Sequence, residues 1–198
     1  MTEQLNYDLV RDYSDFQLRR YPEHLLVEVI IEGPFEEAGN RAFRYLFSYI
    51  SGANRVNRTV AMTAPVIQDS SSEKIKMTAP VLQQGITGNS AGKVGAQGEQ
   101  SFRVAFVLPQ GTTLENAPAP TNPLVHLRAV PQSLTAVIRF SGRWSQQSYE
   151  HHRVSLTHAM NVAGLQAQSA PRFARFDPPF KPSFLRHNEI MIDVEDTE

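Results

Sequence analysis

The pentapeptide Met-Thr-Ala-Pro-Val occurs twice in this chain, at residues 62–66 and again at 77–81. Successive side chains of an extended segment point to opposite faces. Val60, Met62, Ala64 and Val66 then share one face, and Ile75, Met77, Ala79 and Val81 do the same in the second copy. The polar connector 69–74 (DSSSEK) is short, which suits a hairpin or a pair of neighbouring strands. Pro65 and Pro80 lie inside these runs. Proline cannot donate to a ladder, so the two strands must be edges, bulged, or ending there. The sheet that holds them is predicted to be distorted.

The flanking sequence supplies the rest of the domain. Residues 24–31 (HLLVEVII) are rich in β-branched side chains and follow Pro22, while Ser14 and Asp15 mark a turn between shorter strands before them. Gly33-Pro34 opens a helix, with Glu36 and Glu37 facing the positive end of its dipole. Phe35, Ala38, Ala42, Phe43, Leu46, Phe47 and Ile50 form its apolar stripe, and Gly52 and Asn54 are stop signals. Arg41 and Arg44 lie off that stripe, towards solvent or a ligand. Further strands are expected at 102–108, 124–130, 134–140 and 189–194. A second helix is expected over 145–163, closed by Gly164, with Tyr149, His152, Arg153, Leu156, Met160 and Ala163 on one face. Strands, helix, strands, repeated once, read as an α+β domain of two similar halves.

Residues 83–101 hold five of the 11 glycines and no core-forming pattern, so they are expected to form a flexible surface loop. None of these glycines makes a phosphate-binding fingerprint. The 198 residues fit a single domain, 1–198. With 19 basic and 20 acidic residues the chain lacks the positive excess of a nucleic-acid binder. The absence of cysteine removes disulfides, thiolate metal sites and cysteine nucleophiles. The N-terminal sequence has no signal-peptide pattern, and no stretch approaches the ~18 apolar residues of a membrane helix. A cytoplasmic protein without membrane insertion is the expectation.

No enzyme signature is present. There is no G-x-S-x-G, and no local pairing of carboxylates for acid–base work. His151 and His158 share a helix face but stand about 10 Å apart along its axis, too far for one metal. His24, His126 and His187 are isolated; each suits an axial haem ligand by type, and each is more simply structural. Met62 and Met77 suit either iron ligation or core packing. Phe173, Phe176, Phe180 and Phe184 lie in a segment that Pro178, Pro179 and Pro182 keep out of a regular strand. They either line a cleft or cover the core. Lys181 and Arg186 beside them either pair with ligand carboxylates or are solvated.

Several segments together carry a resemblance: 7–22 (YDLVRDYSDFQLRRYP), 43–54 (FRYLFSYISGAN), the two MTAPV copies, 139–142 (RFSG) and 176–192 (FDPPFKPSFLRHNEIMI). From residue 7 to 193 the chain resembles the SOUL/haem-binding-protein family, with the Gly-rich loop as a local insertion. The resemblance implies a distorted antiparallel β-barrel with two helices, a duplicated β-α-β-β unit. That architecture is shared with effector-binding domains of some bacterial transcription regulators. It also implies non-covalent binding of haem or another porphyrin-like tetrapyrrole, by a carrier, buffer or sensor, with the axial ligand left open. The implied cleft lies beside the first helix and the tail aromatics: Arg41, Phe43, Arg44, Phe47, Met62, Phe176, Lys181 and Phe184. The alternatives are an enzyme acting on haem, for instance by removing iron, and an effector-binding module for other apolar small molecules.

Overall fold

The computed structural model describes residues 3–55, 72–86 and 100–196. The first MTAPV copy, with Met62, and residues 87–99 of the Gly-rich segment lie outside the described residues. In chain order the elements are β1 (Glu3–Gln4), β2 (Asp8–Asp12), β3 (Gln17–Tyr21), β4 (His24–Glu32), α1 (Phe35–Ile50) and β5 (Asn54–Arg55). β6 (Thr78–Ile86), β7 (Ser101–Val107), β8 (Ala119–Pro120), β9 (Val125–Val130) and β10 (Ser133–Phe140) follow. The chain continues through α2 (Gln146–Val162), β11 (Arg172–Arg175), a 3-10 turn (Ser183–Leu185) and β12 (Asn188–Val194).

An antiparallel sheet runs β2-β3-β10-β12-β11-β6-β7-β4-β9 and curls into a half-barrel. β1 adds a short parallel pairing to β6, and β5 pairs with β8 apart from the main sheet. The expected duplication is visible in this order. β4-α1-β6-β7 and β10-α2-β11-β12 are equivalent units, and each is preceded by a strand that pairs with the other unit: β3 with β10, and β9 with β4. The two halves are thereby stitched into one sheet.

Both helices form where the sequence places them. α1 buries Phe35, Ala38, Ala42, Leu46 and Ile50 and carries Glu36 and Glu37 in its first turn. Past its end Gly52 adopts φ 118, a left-handed conformation that favours glycine. The Ser145 hydroxyl accepts from the Ser148 N–H at the start of α2, supplying one of the missing partners of the first turn. α2 buries Leu156 and Met160.

Alternation sorts the strand residues onto two faces. Leu18, Val27, Val104, Ala136, Phe173 and Ile190 face the helices and build the main core with Phe35, Leu46 and Leu156. Tyr21, Leu26, Leu82, Val137, Ala174 and Met191 form a second apolar layer on the other face. α1 packs mainly on β4 and β7, and α2 on β10 and β12, so that other face is not covered by either helix.

One sequence expectation is narrowed and two change. Pro80 is not in an edge strand: β6 pairs with both β7 and β11. The bulged alternative is the one adopted, with a register shift between Thr78 and Val81 and a cis Ala79–Pro80 bond. Residues 83–86 are not loop but the end of β6, because Gln83 and Gln84 have ladder partners on both sides. Phe173 belongs to a regular strand, β11, and is fully buried, since the prolines begin only five residues later.

Candidate functional site

The face of the sheet away from the helices encloses a cavity of about 570 Å³. Its walls are the alternate side chains left over once the core positions are assigned. β3 supplies Arg19 and Tyr21, β4 supplies His24 and Leu26, and β6 supplies Leu82 and Gln84. Arg128 and Val130 come from β9, Ser133 and Arg139 from β10, Arg172 from β11, and Glu189, Met191 and Asp193 from β12. Gln4, Leu5, Tyr7, Pro80, Pro131, Ser169, Phe176 and His187 complete it. Such a volume lies in the roughly 300–1,000 Å³ range of small-molecule sites.

The polar wall is organised into ion pairs. Arg19 Nη1 donates to both oxygens of Glu189 at 3.0 and 3.1 Å and to the Tyr21 hydroxyl at 3.2 Å. The Tyr7 ring lies 4.2 Å from the same guanidinium. Burial opposes the charge on Arg19, but Glu189 and Tyr21 together outweigh it and the pKa is raised. Burial, seconded by Glu189, pushes the Tyr21 hydroxyl up to about 12. His187 Nε2 sits 2.8 Å from Glu189 and its ring stacks on Phe176 at 4.0 Å.

A second pair joins Arg172 to Asp193 through both guanidinium ends, and the Thr135 hydroxyl also donates to Asp193 at 2.8 Å. Burial would raise the Asp193 pKa, but these donors and the Arg172 charge hold it below the usual carboxylate value. Arg128 Nε donates to Glu28 at 2.7 Å. Arg139, also on the wall, has no ion-pair partner among the described residues. The carboxylates are therefore already engaged, and the cavity keeps a surplus of positive charge.

His24 is different. Its Nδ1 lies 2.9 Å from the Pro22 carbonyl oxygen. Burial, only partly offset by that bond, lowers its pKa, and Arg172 and Arg128 lower it further.

The residues expected at a cleft are divided by the structure. Phe176 lines the cavity. Phe43 and Phe47 instead stack 5.4 Å apart on the outer face of α1, 39% and 47% exposed, with Phe43 edge-on to Phe106. Arg44 beside them bonds the Tyr45 hydroxyl, and Arg41 donates to the Glu32 carbonyl. Lys181 pairs with Asp177 at 2.8 Å, and Phe184 is 72% exposed in the 3-10 turn. Sequence reasoning missed the cavity arginines, and named His24 only as one of three isolated histidines. The one usable signal was strand alternation, which places Arg19 and Tyr21, or Arg172 and Ala174, on the face opposite the core residues.

Haem would need an apolar wall for its ring, cations for its carboxylates and a donor for its iron. Leu26, Leu82, Val130, Phe176 and Met191 provide the first, Arg128 and Arg139 the second, and the His24 imidazole the third. The donor set fits. Among the described residues no cluster of three or more His, Asp or Glu side chains could hold a bare metal ion, and no helix is long and apolar enough to cross a membrane.

The profile of the family described as "SOUL heme-binding protein" matches residues 2–71 and 67–193. No curated protein matches the chain significantly. Among solved structures, the crystal structure of the EcmrR C-terminal domain aligns with TM-score 0.58 and 13% identity, covering 96% of this chain and 98% of that one. EcmrR in a DNA complex aligns with TM-score 0.59 and 13% identity, over 91% of this chain but 57% of that longer one. A Listeria innocua protein described as a hydrolase aligns with TM-score 0.55 and 14% identity, covering 90% and 91%. At such identities the likeness concerns the fold alone.

Proposed function

The chain belongs to the SOUL heme-binding protein family, and from that membership we propose that it binds haem or another tetrapyrrole non-covalently in the cavity on the helix-free face of the sheet. The observation that carries this reading is the pairing of an apolar wall with surplus positive charge inside one cavity. A tetrapyrrole is a broad apolar disc with carboxylates at one edge, and it needs both. Leu26, Leu82 and Met191 lie against the ring, while Arg139 and Arg128 meet the carboxylates by charge-assisted hydrogen bonds. Reversible binding of this kind suits a carrier, buffer or sensor.

Iron removal or other chemistry on the ring would call for a free acid at the site. Asp193 and Glu189 are each held by an arginine, which favours binding over catalysis. The same surplus of cations favours anionic ligands over apolar cations.

A second location is supported by the exposed Phe43–Phe47 stack on α1, flanked by Arg44. Exposed stacked aromatics can also take a flat ring. Phe184 and Lys181, on the separate tail segment, would join neither wall directly.

Titration of hemin into the purified protein, followed at the Soret band, tests the reading. A saturable shift at one hemin per chain is expected. An absorbance change that grows linearly without saturation sinks it.

A further inference from the structure

We propose that Nε2 of His24 is the protein's axial ligand to haem iron, an inference that rests on the tetrapyrrole reading above. The placement follows from the strand. His24 is the first residue of β4, and alternation puts it on the same face as Leu26, both lining the cavity, while Leu25 and Val27 enter the helix-side core.

The tautomer follows from a single contact. A carbonyl oxygen can only accept, so the 2.9 Å contact with Pro22 requires the proton to sit on Nδ1. Nε2 is then left with a bare lone pair, and no described residue bonds it. Metal-ligating histidines characteristically donate their other ring N–H to a carbonyl or carboxylate, which fixes the ring and raises the basicity of the ligating nitrogen. His24 has that arrangement already built.

His24 shares the cavity wall with Arg172, Arg128 and Asp193, and Asp193 is itself tied to Arg172.

Other histidines are less suited. His187 also reaches the cavity, but its Nε2 is committed to Glu189 and one ring face is covered by Phe176. Its remaining nitrogen is the one beside its own backbone. His152 stacks on Phe140 at 3.8 Å and bonds Ser148 through Nδ1, away from the cavity. A porphyrin supplies four equatorial nitrogens, so one side-chain donor suffices.

The test is ferric hemin titration of the wild type, His24→Ala, His24→Gln and His187→Ala, read by absorbance and electron paramagnetic resonance. His24→Gln retains a side-chain donor for Pro22 and guards against misfolding in the alanine variant; circular dichroism checks both. The wild type is expected to give a nitrogen-ligated spectrum. Both His24 variants should lose it and bind hemin at least tenfold more weakly, and added imidazole should restore the spectrum in His24→Ala. His187→Ala should keep the nitrogen-ligated pattern. Hemin binding with unchanged spectra in both His24 variants overturns the assignment while leaving tetrapyrrole binding intact. Loss of the pattern in His187→Ala alone transfers the role to His187. No hemin binding by the wild type removes the tetrapyrrole reading and this inference together.

Discussion

Arg19 on β3 and Glu189 on β12 meet 3.0 Å apart across the intervening strand β10, with 6% and 1% of their side chains exposed. They are 170 residues apart in sequence. The pair fixes the charge pattern of the cavity floor, because Glu189 also receives His187 and Arg19 also holds Tyr21. Removing one partner leaves the other buried and uncompensated. Glu189→Leu should therefore cost about 3–5 kcal/mol of stability, and Arg19→Met/Glu189→Leu should recover most of it. Urea unfolding of the three proteins measures this. A double variant no more stable than Glu189→Leu alone would contradict it.

Gly39 on α1 is set by Arg175. A Cβ at Gly39 would lie 2.5 Å from Arg175 Nη1 and 3.1 Å from its Cζ. That guanidinium cannot easily move: it is packed over Trp144 and Phe173 and donates to Gln83 at 2.6 Å. Burial pushes its pKa down to about 10, with Glu36 opposing and Arg186 assisting. In an exposed helix Gly→Ala gains about 1 kcal/mol, but overpacking costs about 1–3 kcal/mol. Gly39→Ala is expected to be net destabilising in the wild type and stabilising in an Arg175→Leu background. Equal shifts in urea midpoint in both backgrounds would rule out the contact as the cause.

His24 links stability to pH. Its folded pKa lies below the ordinary value of 6.5, chiefly through burial. As pH falls below about 6.5 the unfolded chain takes up a proton that the folded chain refuses, so this contribution is complete above that pH and declines beneath it. Asp193, depressed by Arg172 against the opposing effect of burial, adds a separate loss below about pH 4. His24→Gln should flatten the decline in urea midpoint between pH 7.5 and 5.5 and leave the more acidic loss in place. Parallel wild-type and variant profiles would exclude His24 as its source.

Arg139 is the cavity arginine whose removal should leave the fold untouched, because it is exposed and no described side chain pairs with it. Surface substitutions of that kind stay within about 0.5 kcal/mol. Arg139→Ala should nonetheless weaken hemin binding about three- to tenfold, in keeping with a charge-assisted contact worth roughly 1 kcal/mol at a partly open site. Hemin dimethyl ester, which lacks the carboxylates, should bind both proteins equally. An equal loss for hemin and its ester would mean that Arg139 acts through shape instead.

Local signals in the sequence went far in the helices and halfway in the sheet. The α1 stripe, the one-sided face over 149–163 and the Gly164 stop locate both helices because helix periodicity and end chemistry are local. Pro80 left edge, bulge and strand end open, and the bulge at Thr78–Val81 is what lets a proline sit in a central strand. β11 is four residues long and lies just before a proline-rich segment, so pattern alone gives it no weight. The cavity was least legible. Its charged pairs, such as Arg19–Glu189 and Arg172–Asp193, are assembled by strand order, and strand order leaves no spacing in the chain. Phe176, which lines the cavity, was named because it lies in a recognisable tail motif. His24 looked like an isolated histidine because its partner is a backbone carbonyl two residues away.

The location of bound tetrapyrrole is tested most directly by hemin titration of two paired variants. Val130→Trp places an indole in the cavity from the end of β9, and Phe43→Ser/Phe47→Ser removes the aromatic stack from the outer face of α1. Binding in the cavity requires that Val130→Trp lose at least tenfold in hemin affinity while the double serine variant keeps wild-type affinity. Wild-type affinity in Val130→Trp together with lost binding in Phe43→Ser/Phe47→Ser would contradict it and move the site to α1.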